Sequence, residues 1–355
     1  MTNKQTIFIA GLGMMGSACA EYLRDNHPEL EIYAADDFSG SDPEDVPEGI
    51  NFTKMDLRDR VLVKNYFDTT FKDKPLDYVI NYAASAREIL SFFTPQEVMS
   101  RNIDLFRNVL TNAINHKVKK VVYFSSMSRY GDGILYNGDG DIVIEQQVPY
   151  KESMIPTPCD PYASSKVSCE LMLKSFQHVY DFDYTVVIPH NCFSPRQRVE
   201  PYRNYLAIFM NLILKGKQPV IYGDGMSERA ISWVDDFNPT ICESIFNPAA
   251  KNQTFNIGGD DHRTINEWWD LVKKVTGTSI DAIHMDARPG EVKRAFCDHS
   301  KAERLLGFKN KTNIEDALKQ MWDYFVAKGP REFKYIDEFE IESDKIPKTW
   351  KNKLF

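Results

Sequence analysis

A tyrosine and a lysine one helical turn apart form the first candidate catalytic pair in the sequence. They are Tyr162 and Lys166, in "CDPYASSKVSCELML" (159–173). Pro161 suits the first turn of a helix, and residues four apart share a helix face. A lysine ammonium beside a phenol favours the phenolate, so we expect the pKa of Tyr162 to lie below the usual value of about 10. Such a phenol can take a proton from a hydroxyl group while hydride leaves the same carbon.

A second pair with the same spacing raises the question of which pair arises by chance. Tyr324 and Lys328, in "YFVAK", lie late in the chain in an amphipathic pattern, with no glycine-rich turn or hydroxyl loop beside them. By contrast, Ser126 in "YFSSMSRYG" ends the strand pattern that precedes Tyr162 and offers a third hydroxyl. We therefore predict that Ser126, Tyr162 and Lys166 form the catalytic group.

A glycine-rich turn near the N-terminus predicts a dinucleotide site. Gly11, Gly13 and Gly16, in "IFIAGLGMMGSACA", follow a strand pattern and open a helix pattern. Glycine permits a tight turn and close approach to a pyrophosphate, and the helix N-terminus supplies amide donors. Asp36 and Asp37 end the second strand pattern, where a carboxylate accepts hydrogen bonds from the adenosine ribose and repels a 2′-phosphate. No Arg or Lys follows in "DDFSGSDPED", so NAD is favoured over NADP.

The first half of the chain alternates strand and helix patterns. Near-continuous apolar runs of this kind are typical of parallel strands covered on both faces. The alternation predicts an α/β fold with a doubly wound parallel sheet of Rossmann type. The predicted strands lie at 6–10, 31–35, 77–84, 120–126 and 184–190, and the helices between them at 16–26, 59–71, 95–116 and 160–180.

The pattern changes beyond residue 190, where loops rich in Pro, Gly, Arg and Asn are interleaved with helices. This predicts a smaller, interleaved C-terminal substrate lobe at the carboxyl edge of the sheet, where ligands of open α/β sheets bind. We expect the NAD-binding domain to span 1–190, with 231–260 returning to it. The substrate lobe then comprises 191–230 and 261–355.

The composition argues against several functional classes. A net charge of −8 with both signs interspersed does not suggest a nucleic-acid partner. No stretch approaches the roughly 18 apolar residues of a membrane helix, and the apolar run before Gly11 is too short for a signal peptide. Six scattered cysteines, without zinc-ligand spacing, predict reduced thiols, no metal site and a cytoplasmic protein. The acidic stretch 131–149 predicts an inserted hairpin that lacks the glycine of a calcium loop.

Ten short motifs, taken together in their order along the chain, indicate a family resemblance that no one of them would indicate alone. They are "DLRD" (56–59), "VINYAASA" (79–86), "YFSSMSRYGD" (123–132), "DPYASSK" (160–166), "PHNCFSPRQ" (189–197), "EPYRN" (200–204), "IYGDGMSERA" (221–230), "WVDD" (233–236), "FNIGG" (255–259) and "RPGEVKRAF" (288–296). In this order and spacing the chain resembles the extended short-chain dehydrogenase/reductase superfamily. Within it, the chain is most similar to nucleotide-sugar epimerases of the UDP-glucose 4-epimerase type, over nearly its whole length.

The resemblance implies an NAD-dependent nucleotide-sugar 4-epimerase, with a UDP-sugar favoured as substrate and a homodimer as the assembly. The matching catalytic residues are Ser126, Tyr162 and Lys166. The implied cofactor-binding residues, in addition to that tyrosine and lysine, are Gly11, Gly13, Met14, Met15, Gly16, Asp36, Asp37, Asp56, Leu57, Ala83, Ala84, Asn102 and Pro189. The implied substrate-binding residues are Ser126, Met127, Asn191, Arg229, Arg288 and Glu291. Two arginines suit a diphosphate because their planar guanidinium groups bind oxyanions bidentately.

Several positions depart from the family's pattern, mostly on the substrate side. Arg129 occupies a usually apolar place, Ile188 and Ser194 replace an Arg and a Gly, and the insertion 133–147 is longer than typical. The sugar and the nucleotide base therefore stay open. His190 either touches the nicotinamide or sugar, or is a hydrogen-bonded core histidine.

Four alternative functions begin from the same fold. A nucleotide-sugar dehydratase, decarboxylase or dehydrogenase shares the first oxidation. Related dehydratases carry an Asp–Glu pair after the catalytic residue, where this chain has Met127 and Ser128. Neither residue can act as an acid or base for elimination of water, which disfavours a dehydratase. A non-catalytic dinucleotide sensor is disfavoured because such proteins commonly lose the Tyr or the Lys.

Overall fold

The computed structural model describes residues 4–137 and 139–355. The strands are β1 (Gln5–Ala10), β2 (Leu30–Asp36), β3 (Asn51–Lys54), β4 (Tyr78–Asn81), β5 (Lys120–Phe124), β6 (Leu135–Tyr136), β7 (Ile142–Ile144), β8 (Asp183–Pro189), β9 (Cys192–Phe193), β10 (Val220–Tyr222), β11 (Glu228–Ala230), β12 (Ser232–Trp233), β13 (Gln253–Ile257), β14 (His262–Thr264), β15 (Ile283–Met285) and β16 (Arg294–Ala295). The helices are α1 (Met14–Asn26), α2 (Arg60–Thr70), α3 (Pro95–Met99), α4 (Leu105–Asn115), α5 (Pro161–Gln177), α6 (Tyr205–Leu214), α7 (Val234–Ser244), α8 (Ile265–Thr276), α9 (Ser300–Leu306), α10 (Ile314–Lys328) and α11 (Lys348–Lys351).

A seven-stranded sheet forms the centre of the molecule, in the order β13-β8-β5-β4-β1-β2-β3. Every pairing within it is parallel. The chain reverses the direction in which it adds strands between β1 and β4, which is the point where ligands of such sheets bind. The predicted doubly wound, Rossmann-type α/β fold is confirmed.

Helices cover both faces of this sheet, which is why its inner strands are almost continuously apolar. On one face, α1 and α7 bury Leu23 and Ile241 against Phe255. On the other face, α2, α4 and α5 contribute Phe67, Leu110 and Leu173 to a second core. Burying each such side chain contributes roughly 1.5–3 kcal/mol, so the two cores fix where the strand ends lie.

A further core lies beyond the sheet and holds the elements that face its carboxyl edge. It is built from α6, α8 and α10, with Phe209, Trp268 and Met321 among its buried side chains. The Trp268 indole N–H donates to the carbonyl of Arg229, 2.8 Å away, so this core also positions β11. By contrast β13 and α7, within 231–260, belong to the central sheet and its helical cover.

The acidic insertion contains the hairpin that its sequence predicts. Strands β6 and β7 pair antiparallel, with residue 138 in their connection lying outside the described residues. Within the described residues, no group of three or more His, Cys, Asp or Glu side chains is placed to hold a metal ion. Over the same part of the chain, no helix is both long and apolar enough to cross a membrane.

Candidate active site

One cleft runs along the carboxyl edge of the central sheet and brings most of the predicted site residues together. Those that line it are Gly11, Gly13, Met14, Met15, Gly16, Asp36, Asp37, Leu57, Ala83, Ala84, Ser126, Met127, Tyr162, Lys166, Pro189, Asn191, Arg229, Arg288 and Glu291. Two other predicted residues, Asp56 and Asn102, do not line the cleft, and their side chains are hydrogen-bonded to other side chains of the protein. Tyr324 and Lys328 lie elsewhere, on α10, where Lys328 pairs with Glu44 at the surface.

The turn between β1 and α1 has no room for side chains at two of its glycines. Gly11 has a φ of +88°, and a Cβ there would lie 2.7 Å from the backbone of Ala83. A Cβ on Gly16 would lie 1.9 Å from the carbonyl oxygen of Gly11. The backbone therefore packs closely here, and the N-terminus of α1 points its amides into the cleft, as a pyrophosphate requires.

Two adjacent carboxylates at the end of β2 have different partners. Asp36 accepts hydrogen bonds from the amides of Leu12 (2.7 Å) and Phe38 (2.6 Å). Asp37 pairs with Arg101 at 2.8 Å. Asp36 therefore links the glycine turn to the second strand, in the position from which a carboxylate can accept a ribose hydroxyl.

Asp56 and Asn102 support the cleft from behind. The Asp56 carboxylate forms a bidentate pair with Arg58, and Leu57 beside it lines the cleft. Asn102 is buried, donates to the Ser165 hydroxyl at 2.8 Å and accepts from the Ser85 amide at 2.8 Å. Asn102 thus joins the wall after β4 to helix α5, and its side chain holds protein groups where the resemblance implied a cofactor contact.

The predicted catalytic group is assembled from β5 and α5. Asp160 caps α5 by accepting from the Ala163 amide at 2.8 Å, which fixes the first turn that carries Tyr162. Lys166, one turn later, is buried and donates to the carbonyl of Phe124 at 2.7 Å, at the end of β5. Ser126 follows directly and lines the same part of the cleft. The hydroxyl, the phenol and the ammonium group therefore converge although they come from two elements.

The expected direction of the phenol's pKa shift is wrong for the protein groups alone. Burial raises the pKa of Tyr162 and the Glu88 carboxylate raises it further, while Ser126 and Arg203 act in the opposite direction. Burial also lowers the pKa of Lys166 to about 8. Desolvation disfavours the charged form of each group and is the largest cause of both shifts, and the Lys166 ammonium donates to the Phe124 carbonyl.

The predicted substrate arginines share one carboxylate at the other end of the cleft. Arg288 pairs with Glu291 at 3.0 Å, and Arg229 lies 3.7 Å from the same carboxylate. Arg229 also donates to the carbonyl of Val292 at 2.5 Å, and the guanidinium of Arg288 lies 4.5 Å from the ring centroid of Tyr222. Two cations with one counter-charge leave a net positive site, which suits a diphosphate.

A family model described as "NAD dependent epimerase/dehydratase family" matches residues 7–258. The chain belongs to this family. The match includes the glycine turn, the carboxylates after β2, the catalytic group and Arg229, so the cofactor of this family member is NAD.

Three 4-epimerases resemble the chain over most of its length. UDP-glucose 4-epimerase from Thermotoga maritima, solved with UDP-glucose, is 27% identical with a TM-score of 0.82, covering 91% of this chain and 99% of its own. UDP-N-acetylglucosamine 4-epimerase from Methanobrevibacter ruminantium M1, solved with UDP-N-acetylmuramic acid, is 30% identical with a TM-score of 0.79, covering 92% and 100%. UDP-glucuronate 4-epimerase from Thermodesulfobacterium geofontis is 26% identical, over 77% of this chain and 78% of its own. These three proteins act on different sugars.

The residues present fit the family's NAD. Gly11, Gly13 and Gly16 line the cleft at the N-terminus of α1, where backbone amides can meet a pyrophosphate, and Asp36 stands at the ribose position. Arg101, which the sequence reading missed because it lies far along the chain, contacts both Asp37 and Glu97. A guanidinium shared by two carboxylates is poorly placed to hold a 2′-phosphate, in agreement with NAD rather than NADP.

We expect Gly11→Ala to weaken the binding of NAD at the glycine-rich turn between β1 and α1. The new Cβ would meet the Ala83 backbone in a left-handed conformation, at a cost of about 1–3 kcal/mol. We expect less nucleotide on denaturing the purified variant and a lower Tm. Gly40→Ala is the matched control, because a Cβ on this cleft-lining glycine meets nothing within 4 Å. Equal NAD content in the two variants would contradict the assignment of the turn.

The C-terminal segment also reaches the cleft of this family member, which its sequence did not indicate. Phe355 lines the cleft beside Tyr222, whose hydroxyl is hydrogen-bonded to that of Thr349. Trp350 is buried and its indole N–H donates to the carbonyl of Pro201 at 2.8 Å. The segment therefore supports the tyrosine against which Arg288 packs.

His190 and Cys159 lie in different environments, and only Cys159 lines the cleft. His190 is buried against Gly258, and burial lowers its pKa to about 3, so the ring is neutral. This placement favours a core histidine, but within the described residues neither ring nitrogen has a hydrogen-bond partner, so the expected hydrogen bond is not found. Cys159 lines the cleft and is exposed, whereas the other cysteines, all within the described residues, are buried or half-buried. Burial of its sulfur still raises the pKa of the Cys159 thiol.

Proposed function

We propose that this protein is an NAD-dependent nucleotide-sugar 4-epimerase. The observation that carries the proposal is that Ser126, Tyr162 and Lys166 converge at one end of the cleft while Arg229 and Arg288 flank Glu291 at the other. A nucleotide sugar has the same order of groups, with the reacting ring at one end and the diphosphate next to it. Membership of the epimerase/dehydratase family and the three 4-epimerases described above support the same reaction.

Each residue of the site has its own role in such a reaction. Tyr162 takes the proton of the sugar C4 hydroxyl, Ser126 orients that hydroxyl, and Lys166 fixes the geometry of both from behind. NAD, held at the glycine turn and Asp36, would supply the acceptor for the C4 hydride and, in its oxidised form, a further positive charge near the phenol. Arg229 and Arg288 hold the diphosphate while the 4-keto sugar turns over. Tyr162 then returns the proton to the C4 oxygen as C4 regains its hydride from the cofactor on the opposite face of the ring.

The experiment is a direct search for a redox-neutral reaction. The purified protein, without added NAD, is mixed separately with UDP-glucose, UDP-N-acetylglucosamine and UDP-glucuronate, and the anomeric protons are followed by NMR. We expect the C4 epimer of at least one sugar. A dehydrated or decarboxylated product, or no product from protein that releases NAD on denaturation, would contradict the epimerase proposal.

The proposal extends to the organisation of the chain. We assign 1–190 with 231–260 to the NAD-binding domain, and 191–230 with 261–355 to the nucleotide-sugar lobe; the return of β13 and α7 to the sheet supports this division. A homodimer in the cytoplasm completes the proposal, supported by the exposed Leu171 on α5 and by six free cysteines. A monomeric mass by light scattering would contradict the dimer.

A further inference from the structure

A glutamate on the wall after β4 faces the same cleft as the catalytic tyrosine. Glu88 directly precedes a short 3-10 turn, Ile89–Phe92, whose Ser91 hydroxyl donates to the Glu88 carbonyl at 2.5 Å. The same hydroxyl accepts from the Tyr162 amide at 3.1 Å. The two backbones are therefore fixed to each other through one hydroxyl, and both side chains line the cleft.

The Glu88 carboxylate is uncommitted, unlike the other charged groups around it. Arg87 and Arg203 both pair with Glu200, each at 2.7 Å. Asp160 caps α5. Within the described residues, the Glu88 carboxylate has neither a hydrogen-bond donor from another side chain nor an ion-pair partner, and it is accessible from the cleft.

Glu88 lines the same cleft as Tyr162, Arg229 and Arg288, and its charge acts on all three. Its carboxylate raises the pKa of Tyr162, and it also acts on Arg229 and Arg288 at the other end. Ser91 joins the backbone of Glu88 to that of Tyr162, so Glu88 lies at the reacting end of the cleft, where the sugar of a bound nucleotide sugar would lie. Glu88 is thus a free negative charge beside the sugar.

The charge on Glu88 changes near neutral pH. The Glu88 side chain is exposed to the open cleft, but the surrounding protein partly desolvates it and raises its pKa to about 7; Asp160 at the start of α5 raises the pKa further, while Arg203 and Arg229 oppose the shift. Arg288 and the Tyr162 phenol complete the titratable groups facing it. The carboxyl is therefore charged above about pH 7 and neutral below it.

We propose that Glu88 determines the class of sugar, accepting hydrogen bonds from a neutral sugar ring and excluding a hexuronic acid, whose carboxylate would meet a like charge. This inference rests on the proposed function and sharpens it. A like-charge pair is disfavoured most strongly where water is largely excluded, as it is in a filled cleft. Glu88 touches the sugar in this proposal without taking part in proton transfer.

The test compares two substrates that differ only at C6. The kcat/KM for UDP-glucose and for UDP-glucuronate is measured with the wild type and with Glu88→Gln, which keeps the carbonyl acceptor and removes the charge. At pH 8 we expect the preference for UDP-glucose to fall at least about tenfold in the variant, the factor that corresponds to 1.4 kcal/mol. In the wild type the preference should weaken from pH 8 to pH 6, as Glu88 gains its proton, and should be flat in the variant.

A matched control and a second readout keep the inference separate from the proposed function. Glu48→Gln removes the same charge at an exposed position outside the cleft lining and should leave the preference unchanged. Calorimetric binding of the two nucleotide sugars should show the same tenfold shift without turnover. An unchanged preference and unchanged relative affinity in Glu88→Gln would overturn the role of Glu88. Absence of any epimerised product with an intact affinity shift would overturn the epimerase proposal alone.

Discussion

We expect Tyr162→Phe to lower kcat for 4-epimerisation by about 10³-fold while leaving NAD content unchanged. Positioned acid–base groups contribute about 10²–10⁴-fold, and Tyr162 is the phenol held beside Ser126 at the reacting end of the cleft. The phenylalanine ring fills the same buried space, so the fold and the cofactor cradle should be unaffected. The measurement is steady-state turnover of whichever nucleotide sugar the wild type epimerises, with bound nucleotide assayed in parallel.

Tyr324→Phe is the control for this prediction, because Tyr324 and Lys328 repeat the spacing of the catalytic pair on α10. There, Lys328 pairs with Glu44 at the surface. The control should therefore keep its full kcat. A Tyr162→Phe enzyme with a kcat within threefold of the control would remove Tyr162 from the mechanism.

The largest loss of stability is expected at a buried ion pair beneath the catalytic group. Arg129, in the turn after Ser126, pairs with Glu170 on α5 at 2.9 Å, and their side chains are 5% and 1% exposed. Arg129→Met leaves the Glu170 carboxylate buried without its cation. Removing one partner of a buried pair costs about 3–5 kcal/mol, so we expect the free energy of unfolding in urea to fall by that amount.

Two further variants test whether the loss of stability comes from the unpaired Glu170 carboxylate. Adding Glu170→Gln to Arg129→Met removes the uncompensated carboxylate and should recover most of the stability. Lys319→Ala breaks an ion pair with Asp323 whose side chains are 55% and 59% exposed, and should have little effect. If Arg129→Met destabilised the protein no more than Lys319→Ala, the buried pair would be energetically unimportant.

The central sheet was predictable because buried parallel strands are apolar without interruption. The predicted strands at 6–10 and 184–190 correspond to β1 and β8, whose residues are almost all buried. Strand β3 was missed because "NFTK" at the sheet's edge is short and half-exposed, so it carries no apolar run. The pairing of β13 with β8 brings together residues that are far apart in sequence, and only the region 231–260 was expected to return.

Some residues of the candidate site are marked by a pattern within one short segment of sequence, and others are not. The glycine turn and the Tyr162–Lys166 pair each lie within one short segment, so spacing alone indicates their chemistry. Glu88, Arg101 and Phe355 reach the cleft from separate parts of the chain, and no local pattern marks them. The pKa of the phenol was predicted in the wrong direction because burial depends on the folded surroundings, which a sequence pattern does not contain.

The thiol of Cys159 is exposed and lines the cleft, so a reagent in solution can modify the protein there. Because the remaining cysteines are buried or half-buried, a bulky alkylating reagent would label the folded protein chiefly at one place. The thiolate is the reactive form, and the raised pKa of this thiol means that labelling is best run at mildly alkaline pH. A nucleotide sugar that fills the cleft would shield the sulfur. A slower labelling rate would therefore report the fraction of protein whose cleft is occupied. Sugars that bind without reacting could then be ranked beside those that turn over.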